Sequence, residues 1–217
     1  MIKLAIFDLD GTICDTIEDL ADATNHAMRT LGHPTHDVPA YKYFVGNGIP
    51  KLIYRALPED HRSEEEHAKA MKLMLDYYAV HFADRSSPYE GIPEMLKSLK
   101  EKGIHTAVCT NKAHHMAVEI ADKMFGGVFE TVIGQSETRP LKPDPFSPRE
   151  IMEQLSASPE ETVFIGDSGV DMQTAANSGT HSIGVLWGFR TIEELKENGG
   201  QHFAAAPSDI LDIINKL

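Results

Sequence analysis

The hydrophobic pattern of the chain begins with a strand and continues with a long helical stretch. Residues 3–7 form a short, continuous apolar run of strand-forming residues, which is typical of a buried strand. From residue 15 to residue 85 the apolar positions recur with a helical period, and no strand signal occurs. We expect three helices in this stretch, at residues 16–31, at 49–57 and from about 64 to 82.

Strands and helices are predicted to alternate beyond residue 86. Continuous apolar runs predict strands at residues 104–109, 129–133, 162–165 and 182–186. Amphipathic segments between them predict helices at residues 92–102, 113–125, 145–155 and 170–178. Because buried strands that alternate with helices form parallel sheets, we expect one parallel sheet with helices on both faces.

The predicted fold class is therefore α/β. We expect a doubly wound, Rossmann-like parallel-sheet core, with a small all-helical domain inserted after the first strand. The core is assigned to residues 1–14 and 86–217, and the insertion to residues 15–85. A length of 217 residues fits this division, since it corresponds to one domain plus a sizeable insertion.

Charge and cysteine content narrow the possible partners and the compartment. The chain has 20 Lys and Arg against 33 Asp and Glu, a formal net charge of −13 that disfavours nucleic acid as a partner. Only two cysteines occur, Cys14 and Cys109, and no apolar run is long enough for a signal peptide or a membrane span. We expect a cytoplasmic protein without a membrane partner. Its oligomeric state, monomer or dimer, stays open.

Polar residues follow several of the predicted strands. Residues 8–12 come after the first strand, residues 110–112 after the second, and residues 166–171 after the fourth. A further cluster, residues 142–145, precedes a predicted helix. Since ligands of open parallel sheets bind beyond the carboxyl ends of the strands, these clusters predict the site.

The residue types in these clusters suit phosphate ester chemistry. Asp8 and Asp10 are two residues apart on an extended chain, so their side chains project to one side and leave room for a phosphoryl group. A carboxylate can approach such an anionic group only if its charge is offset. Asp8 and Asp167 could hold a dication for this purpose, assisted by the Lys142 ammonium and the Thr110 hydroxyl. Hard oxygen ligands favour Mg²⁺ as that ion.

In their order along the chain, these clusters resemble the four motifs of the haloacid dehalogenase-like hydrolase superfamily. The resemblance implies that Asp8 is a nucleophile that becomes an aspartyl phosphate. It implies that Asp10 protonates the leaving oxygen and then activates water. Thr110 would hold a phosphoryl oxygen, and Lys142 would neutralise charge on Asp8 and on the phosphoryl group.

The same resemblance implies the remaining groups of the core site. Asp8, Asp167 and the backbone carbonyl of Asp10 would bind magnesium, and Asp171 would face Lys142 or the waters of the metal. Backbone N–H groups of two further residues would donate to the phosphoryl oxygens; these are Leu9 and Asn111.

The helical insertion resembles the small cap domain of the superfamily, which closes over the site and selects the substrate. Residues 44–52 and 184–190 resemble segments of phosphoglycolate phosphatases. In the first segment the candidate substrate contacts are Gly46, Asn47, Gly48 and Lys51. Gly46 and Gly48 permit close approach of the backbone, and the Lys51 ammonium could hold a small carboxylate.

The predicted function is Mg²⁺-dependent hydrolysis of a small phosphate monoester, with 2-phosphoglycolate as the first candidate. Asp10 argues against dehalogenases and phosphonatases, because these enzymes lack the second aspartate. A sugar-phosphate mutase shares that aspartate and remains open. Nucleotides, sugar phosphates and pyrophosphate also remain open as substrates of a phosphatase. The alternative outside enzymology is a catalytically silent binding module that has kept the fold.

Overall fold

The computed structural model describes residues 1–217, and the chain divides into two compact units. Residues 1–14 and 88–217 form the larger unit, called here the core unit. Residues 15–87 form the smaller one, called the helical unit. None of the helices has the length and apolar character needed to cross a membrane.

A six-stranded sheet forms the centre of the core unit, and every neighbouring pair of its strands is parallel. The strands are β1 (Leu4–Phe7), β4 (His105–Ala113), β5 (Thr131–Gln135), β6 (Thr162–Gly166), β7 (His181–Val185) and β8 (His202–Ala204). Their order in the sheet is β5-β4-β1-β6-β7-β8. Two further short strands, β2 (Cys14–Asp15) and β3 (Ser87–Pro88), pair with each other where the chain passes between the units.

Six helices lie between or after the strands of the core unit. They are α5 (Ile92–Glu101), α6 (His114–Phe125), α7 (Phe146–Gln154), α8 (Gly169–Ser178), α9 (Ile192–Glu197) and α10 (Pro207–Ile214), with a 3₁₀ turn at Pro159–Glu161. All four residues of β1 and all five of β6 are buried. Since successive side chains of a strand point to opposite faces, both faces of the central sheet are covered.

The helical unit contains α1 (Ile17–Leu31), α2 (Val38–Phe44), α3 (Ile49–Ala56) and α4 (Glu64–His81), with a 3₁₀ turn at Glu59–His61. Helix α1 ends at Gly32, whose left-handed conformation suits glycine. Buried Tyr41 of α2 donates its hydroxyl to Asn25 Oδ1 of α1 at 2.7 Å. Burial raises the pKa of this phenol above its usual range. Tyr41 therefore fixes α2 on α1 as a neutral donor.

The predicted fold class is confirmed, with an α/β parallel sheet and a helical insertion after the first strand. The structure adds six helices and strands that the sequence pattern did not predict, namely β2, α2, β3, α9, β8 and α10, together with two 3₁₀ turns. Helix α2 has seven residues, α9 has six and β8 has three. Segments this short hold too few apolar positions to establish a period. Strand β4 also continues to Ala113, four residues beyond its predicted end at 109.

Candidate active site

Asp8 and Asp10 follow the central strand β1. The Asp8 backbone N–H donates to the Ile165 carbonyl of neighbouring β6 at 2.9 Å, so sheet pairing continues one residue past the strand. The Leu9 carbonyl then accepts from the N–H groups of residues 12, 13 and 14, which closes a tight turn. This turn holds buried Asp8 and partly exposed Asp10 at the carboxyl edge of the sheet.

Asp167 and Asp171 are placed by the end of β6 and the first turn of α8. The Ser168 N–H and hydroxyl both donate to Asp171 Oδ2, at 3.0 and 2.6 Å. Gly166 leaves the space that this contact needs, because a Cβ there would lie 2.3 Å from Asp171 Cβ. Asp167 and Asp171 are both almost completely buried.

Three buried carboxylates converge at this edge of the sheet. Oxygen atoms of Asp8, Asp167 and Asp171 all lie within 4.8 Å of one another. Lys142, which precedes α7, places its Nζ 2.8 Å from Asp8 Oδ1 and 2.6 Å from Asp171 Oδ1. The peptide bond that follows Lys142 is cis. The cluster thus contains three carboxyl groups and one ammonium.

The pKa values of these groups follow from burial and from their mutual charges. Burial, together with nearby Asp171 and Asp8, raises the pKa of Asp167 to about 8. Burial also raises the pKa of Asp8 to about 6, although the Lys142 ammonium opposes this rise. For Lys142, burial alone would lower the pKa, but the Asp171 and Asp8 carboxylates raise it above its usual range. Lys142 is therefore an ammonium, and the cluster still lacks positive charge.

A hard dication fits this cluster. The available donors are carboxylate oxygens, which Mg²⁺ and Ca²⁺ prefer. The raised pKa values of Asp8 and Asp167 show that their ionised forms are short of compensating charge. Lys142 and Ser168 contact both Asp171 oxygens, and the Lys142 ammonium compensates the Asp171 charge at 2.6 Å. Lys142 contacts Asp8 through Oδ1, and the groups that contact Asp167 are neutral donors, which makes Asp8 and Asp167 the better placed ligands.

Residues that the sequence analysis left without a role hold Asp167 in place. The Phe189 N–H donates to Asp167 Oδ2 at 2.8 Å, and the Thr12 hydroxyl donates to Oδ1 at 3.3 Å. A Cβ at Gly188 would lie 2.2 Å from Asp167 Cβ, and one at Gly11 would lie 2.5 Å from Asp167 Oδ2. For Gly188 and Phe189, the only sequence signal was the resemblance of residues 184–190 to a family segment.

A bulge in β4 places Thr110, Asn111 and Lys112. The pairing of β4 with β5 passes from Cys109–Ile133 to Ala113–Gln135, so that these three residues face Gly134 alone. A Cβ at Gly134 would lie 2.6 Å from the Lys112 carbonyl oxygen, so the bulge requires glycine on the opposite strand. Such a bulge changes the direction in which side chains leave a strand.

Asn111 braces the loop that carries Lys142. Its Oδ1 accepts from the Lys142 N–H at 2.7 Å, and its Nδ2 donates to the Lys142 carbonyl at 3.3 Å. Thr110 is buried beside it, and its hydroxyl oxygen accepts from the Lys112 N–H at 3.3 Å. The side chain of Asn111 thus ties the β4 bulge to the Lys142 loop.

Lys112 is a buried charged residue of the site that the sequence pattern did not indicate. Its ammonium lies 3.0 Å from both carboxylate oxygens of Asp10. Lysine at the end of a strand is commonly solvated, and the position of Lys112 depends on the bulge, so no sequence pattern indicated this ion pair.

The four candidate substrate contacts of the insertion lie in the helical unit. Gly46 and Gly48 have positive φ angles of 109° and 79°, and Gly48 caps α3. Asn47 Oδ1 accepts from Arg55 Nη2 at 2.9 Å. The Lys51 ammonium lies 5.1 Å from the centre of the Tyr54 ring. Arg55 also donates to the carbonyls at the end of α2, and it therefore fixes this loop from within the unit.

The chain is similar to known proteins over nearly its whole length. The chain is 31% identical to a phosphoglycolate phosphatase of Pseudomonas putida, over 99% of its own length and 78% of that protein. It is 32% identical to a phosphoglycolate phosphatase of Vibrio parahaemolyticus, over 98% of its length and 96% of that protein.

A crystal structure from Lactobacillus delbrueckii subsp. bulgaricus superimposes with a TM-score of 0.91 at 30% identity, and the match covers 98% of each chain. Residues 5–185 match the family model described as haloacid dehalogenase-like hydrolase. These residues include all of the core clusters described above, from Asp8 to Asp171. The chain belongs to the haloacid dehalogenase-like hydrolase family.

Proposed function

We propose that this phosphoric monoester hydrolase is a Mg²⁺-dependent cytoplasmic enzyme that cleaves 2-phosphoglycolate through an aspartyl phosphate on Asp8. One observation supports the proposal above all others: Asp8, Asp167, Asp171 and Lys142 converge, buried, at the end of the central strand. A structural role alone does not require this concentration of buried charge, in which burial and neighbouring carboxylates raise the pKa values of Asp8 and Asp167.

The first half of the reaction transfers the phosphoryl group to the protein. An Asp8 carboxylate oxygen forms a bond to phosphorus while the ester P–O bond breaks. Asp10 gives its proton to the departing alkoxide, which leaves as an alcohol. The Lys142 ammonium, 2.8 Å from Asp8, offsets negative charge on the nucleophile and the phosphoryl oxygens. Thr110 and the N–H groups of Leu9 and Asn111 hold those oxygens.

The second half returns Asp8 to its carboxylate form. Asp10, now ionised, takes a proton from a water molecule, whose oxygen forms a bond to phosphorus. The P–O bond to Asp8 breaks, and inorganic phosphate leaves. Asp10 is protonated again and ready for the next ester. Asp171 keeps Lys142 in place throughout, since their side chains are 2.6 Å apart.

The proposed magnesium ligands are Asp8, Asp167 and the backbone carbonyl of Asp10. The ion would supply Lewis acid stabilisation of the negative charge on the phosphoryl group. The Phe189 N–H keeps Asp167 oriented for this role.

The substrate assignment rests on the relatives named as phosphoglycolate phosphatases and on residues 44–52 of the helical unit. We assign to Gly46, Asn47 and Gly48 the contact with the small acid, and to Lys51 the binding of its carboxylate. Replacing Lys51 with Met should then raise KM for 2-phosphoglycolate and leave KM for an ester without a carboxylate unchanged.

A phosphate-release assay on a panel of esters tests the proposal. The panel contains 2-phosphoglycolate, a hexose phosphate, a nucleoside monophosphate and pyrophosphate, each with Mg²⁺ and with excess EDTA. We expect the highest kcat/KM for 2-phosphoglycolate and loss of turnover in EDTA. Conversion of a sugar phosphate to its isomer without phosphate release would identify a mutase. Full turnover in EDTA would contradict the metal requirement, and no turnover of any ester would identify a binding module.

A further inference from the structure

Lys112 is a buried lysine that the reaction steps above do not use. Its side chain is 3% exposed, and that of its partner Asp10 is 13% exposed. The Lys112 ammonium lies 3.0 Å from each Asp10 carboxylate oxygen, so it is symmetrical between them. An ammonium in this position opposes rotation of the carboxylate, because rotation would lengthen at least one of the two contacts.

A bulge in β4 places the Lys112 side chain beside Asp10. The residue lies in the β4 bulge opposite Gly134, and its backbone N–H donates to Thr110 Oγ1. Burying two charged side chains carries a large desolvation cost, and an ion pair of this kind adds little net stability. The need for stability therefore does not explain why a lysine occupies this position.

We propose that Lys112 is a positioning residue that holds the Asp10 carboxylate in the orientation needed for proton transfer. The inference rests on the proposed function, in which Asp10 is the acid and then the base. An ionised carboxylate oxygen has two lone pairs, and the contact with Lys112 uses one on each oxygen. With both oxygens held, the plane of the Asp10 carboxylate is fixed. Lys112 itself transfers no proton.

The dependence of rate on the leaving group tests this inference. An alkyl ester such as 2-phosphoglycolate needs a proton on its leaving oxygen, whereas p-nitrophenolate leaves without one. Lys112→Met should lower kcat/KM for 2-phosphoglycolate by about ten- to a hundredfold, because the acid is misplaced. It should lower kcat/KM for p-nitrophenyl phosphate by less than about threefold. A merely structural defect would lower both values alike.

A double-variant cycle shows whether Lys112 acts through Asp10. Once Asp10→Asn has removed the acid, adding Lys112→Met should change kcat/KM for 2-phosphoglycolate by less than about threefold. The matched control is Lys97→Met, which removes a lysine that is 78% exposed on α5. This control should leave the ratio of the two kcat/KM values unchanged. If Lys112→Met does not fold, Lys112→Gln, which keeps one amide donor, takes its place in the same comparison.

The outcomes separate this inference from the proposed function. Equal losses on both esters in the Lys112 variant, or multiplicative losses in the double variant, would overturn the positioning role. If Asp10→Asn discriminates between the esters and the Lys112 variant does not, only the inference about Lys112 fails. If Asp10→Asn itself does not discriminate between them, the proposed acid role of Asp10 is wrong, and the positioning role falls with it.

Discussion

Removing the Lys142 ammonium should destabilise the folded protein, because the buried carboxylates around it would then repel one another. Its Nζ lies 2.8 Å from Asp8 and 2.6 Å from Asp171, and its side chain is 4% exposed. Lys142→Met keeps an unbranched side chain but leaves buried carboxylates within 4.8 Å of one another without their cation. Breaking a buried ion pair from one side costs about 3–5 kcal/mol, and we expect a loss of this size at pH 8.

The loss should shrink as the pH falls. Asp8 and Asp167 have folded-state pKa values of about 6 and about 8, above their ordinary value, so the folded state binds protons that the unfolded state has already released. Lowering the pH through these values therefore stabilises the folded protein and relieves repulsion in the variant. Lys142 has a raised pKa and stays charged throughout this pH range, so the change in the loss comes from protonation of the carboxylates around it.

Urea unfolding in EDTA at pH 8 and pH 5.5 measures both effects. The difference in free energy of unfolding between wild type and Lys142→Met should be clearly larger at pH 8. The control Lys97→Met removes an exposed lysine 3.9 Å from Glu101 and should change stability by no more than about 0.5 kcal/mol. A Lys142 variant as stable as wild type at pH 8, or a loss that grows toward pH 5.5, would refute this reasoning.

Three other predictions concern the nucleophile, the metal and the glycine beside Asp167. Asp8→Asn should fold but keep less than about a hundredth of the wild-type turnover in steady-state assays. A higher residual turnover would show that Asp8 is not the nucleophile. Mg²⁺ should raise the Tm more at pH 8 than at pH 5.5, because protons on Asp167 and Asp8 compete with the ion; an equal rise at both pH values would contradict this. Gly188→Ala should lower the free energy of unfolding in urea by about 1–3 kcal/mol, since its Cβ would lie 2.2 Å from Asp167 Cβ. It should also raise the Mg²⁺ concentration for half-maximal activity. Wild-type values of both quantities would show that the backbone around Gly188 accommodates a Cβ without displacing Asp167.

The parallel sheet and the convergence of its polar loops could be predicted from the sequence. Continuous apolar runs such as residues 3–7 and 162–165 lie in β1 and β6, neighbours at the centre of the sheet. Because parallel strands end at the same edge of a sheet, pairing of β1 with β6 places Asp8 and Asp167 near each other. Residue spacing along two neighbouring strands was enough for this part of the site.

The details that depend on register and close approach could not be predicted. Lys112 reaches Asp10 only because the β4 bulge opens opposite Gly134, and a bulge depends on how two distant segments pair. The donor to Asp167 is the backbone N–H of Phe189, which every residue type except proline carries, so the sequence does not indicate this contact. The short elements α2 and β8 are stabilised by tertiary packing rather than by a local period.

Mass spectrometry of acid-quenched enzyme during turnover of 2-phosphoglycolate with Mg²⁺ tests the central claim most directly. We expect one phosphoryl group on the peptide that contains Asp8, removable by hydroxylamine as an acyl phosphate is, and absent from Asp8→Asn. Trapping should be stronger in Asp10→Asn, if loss of the base slows hydrolysis more than loss of the acid slows formation. Steady turnover with Asp8 unmodified, or with the phosphoryl group on another residue, would contradict the account.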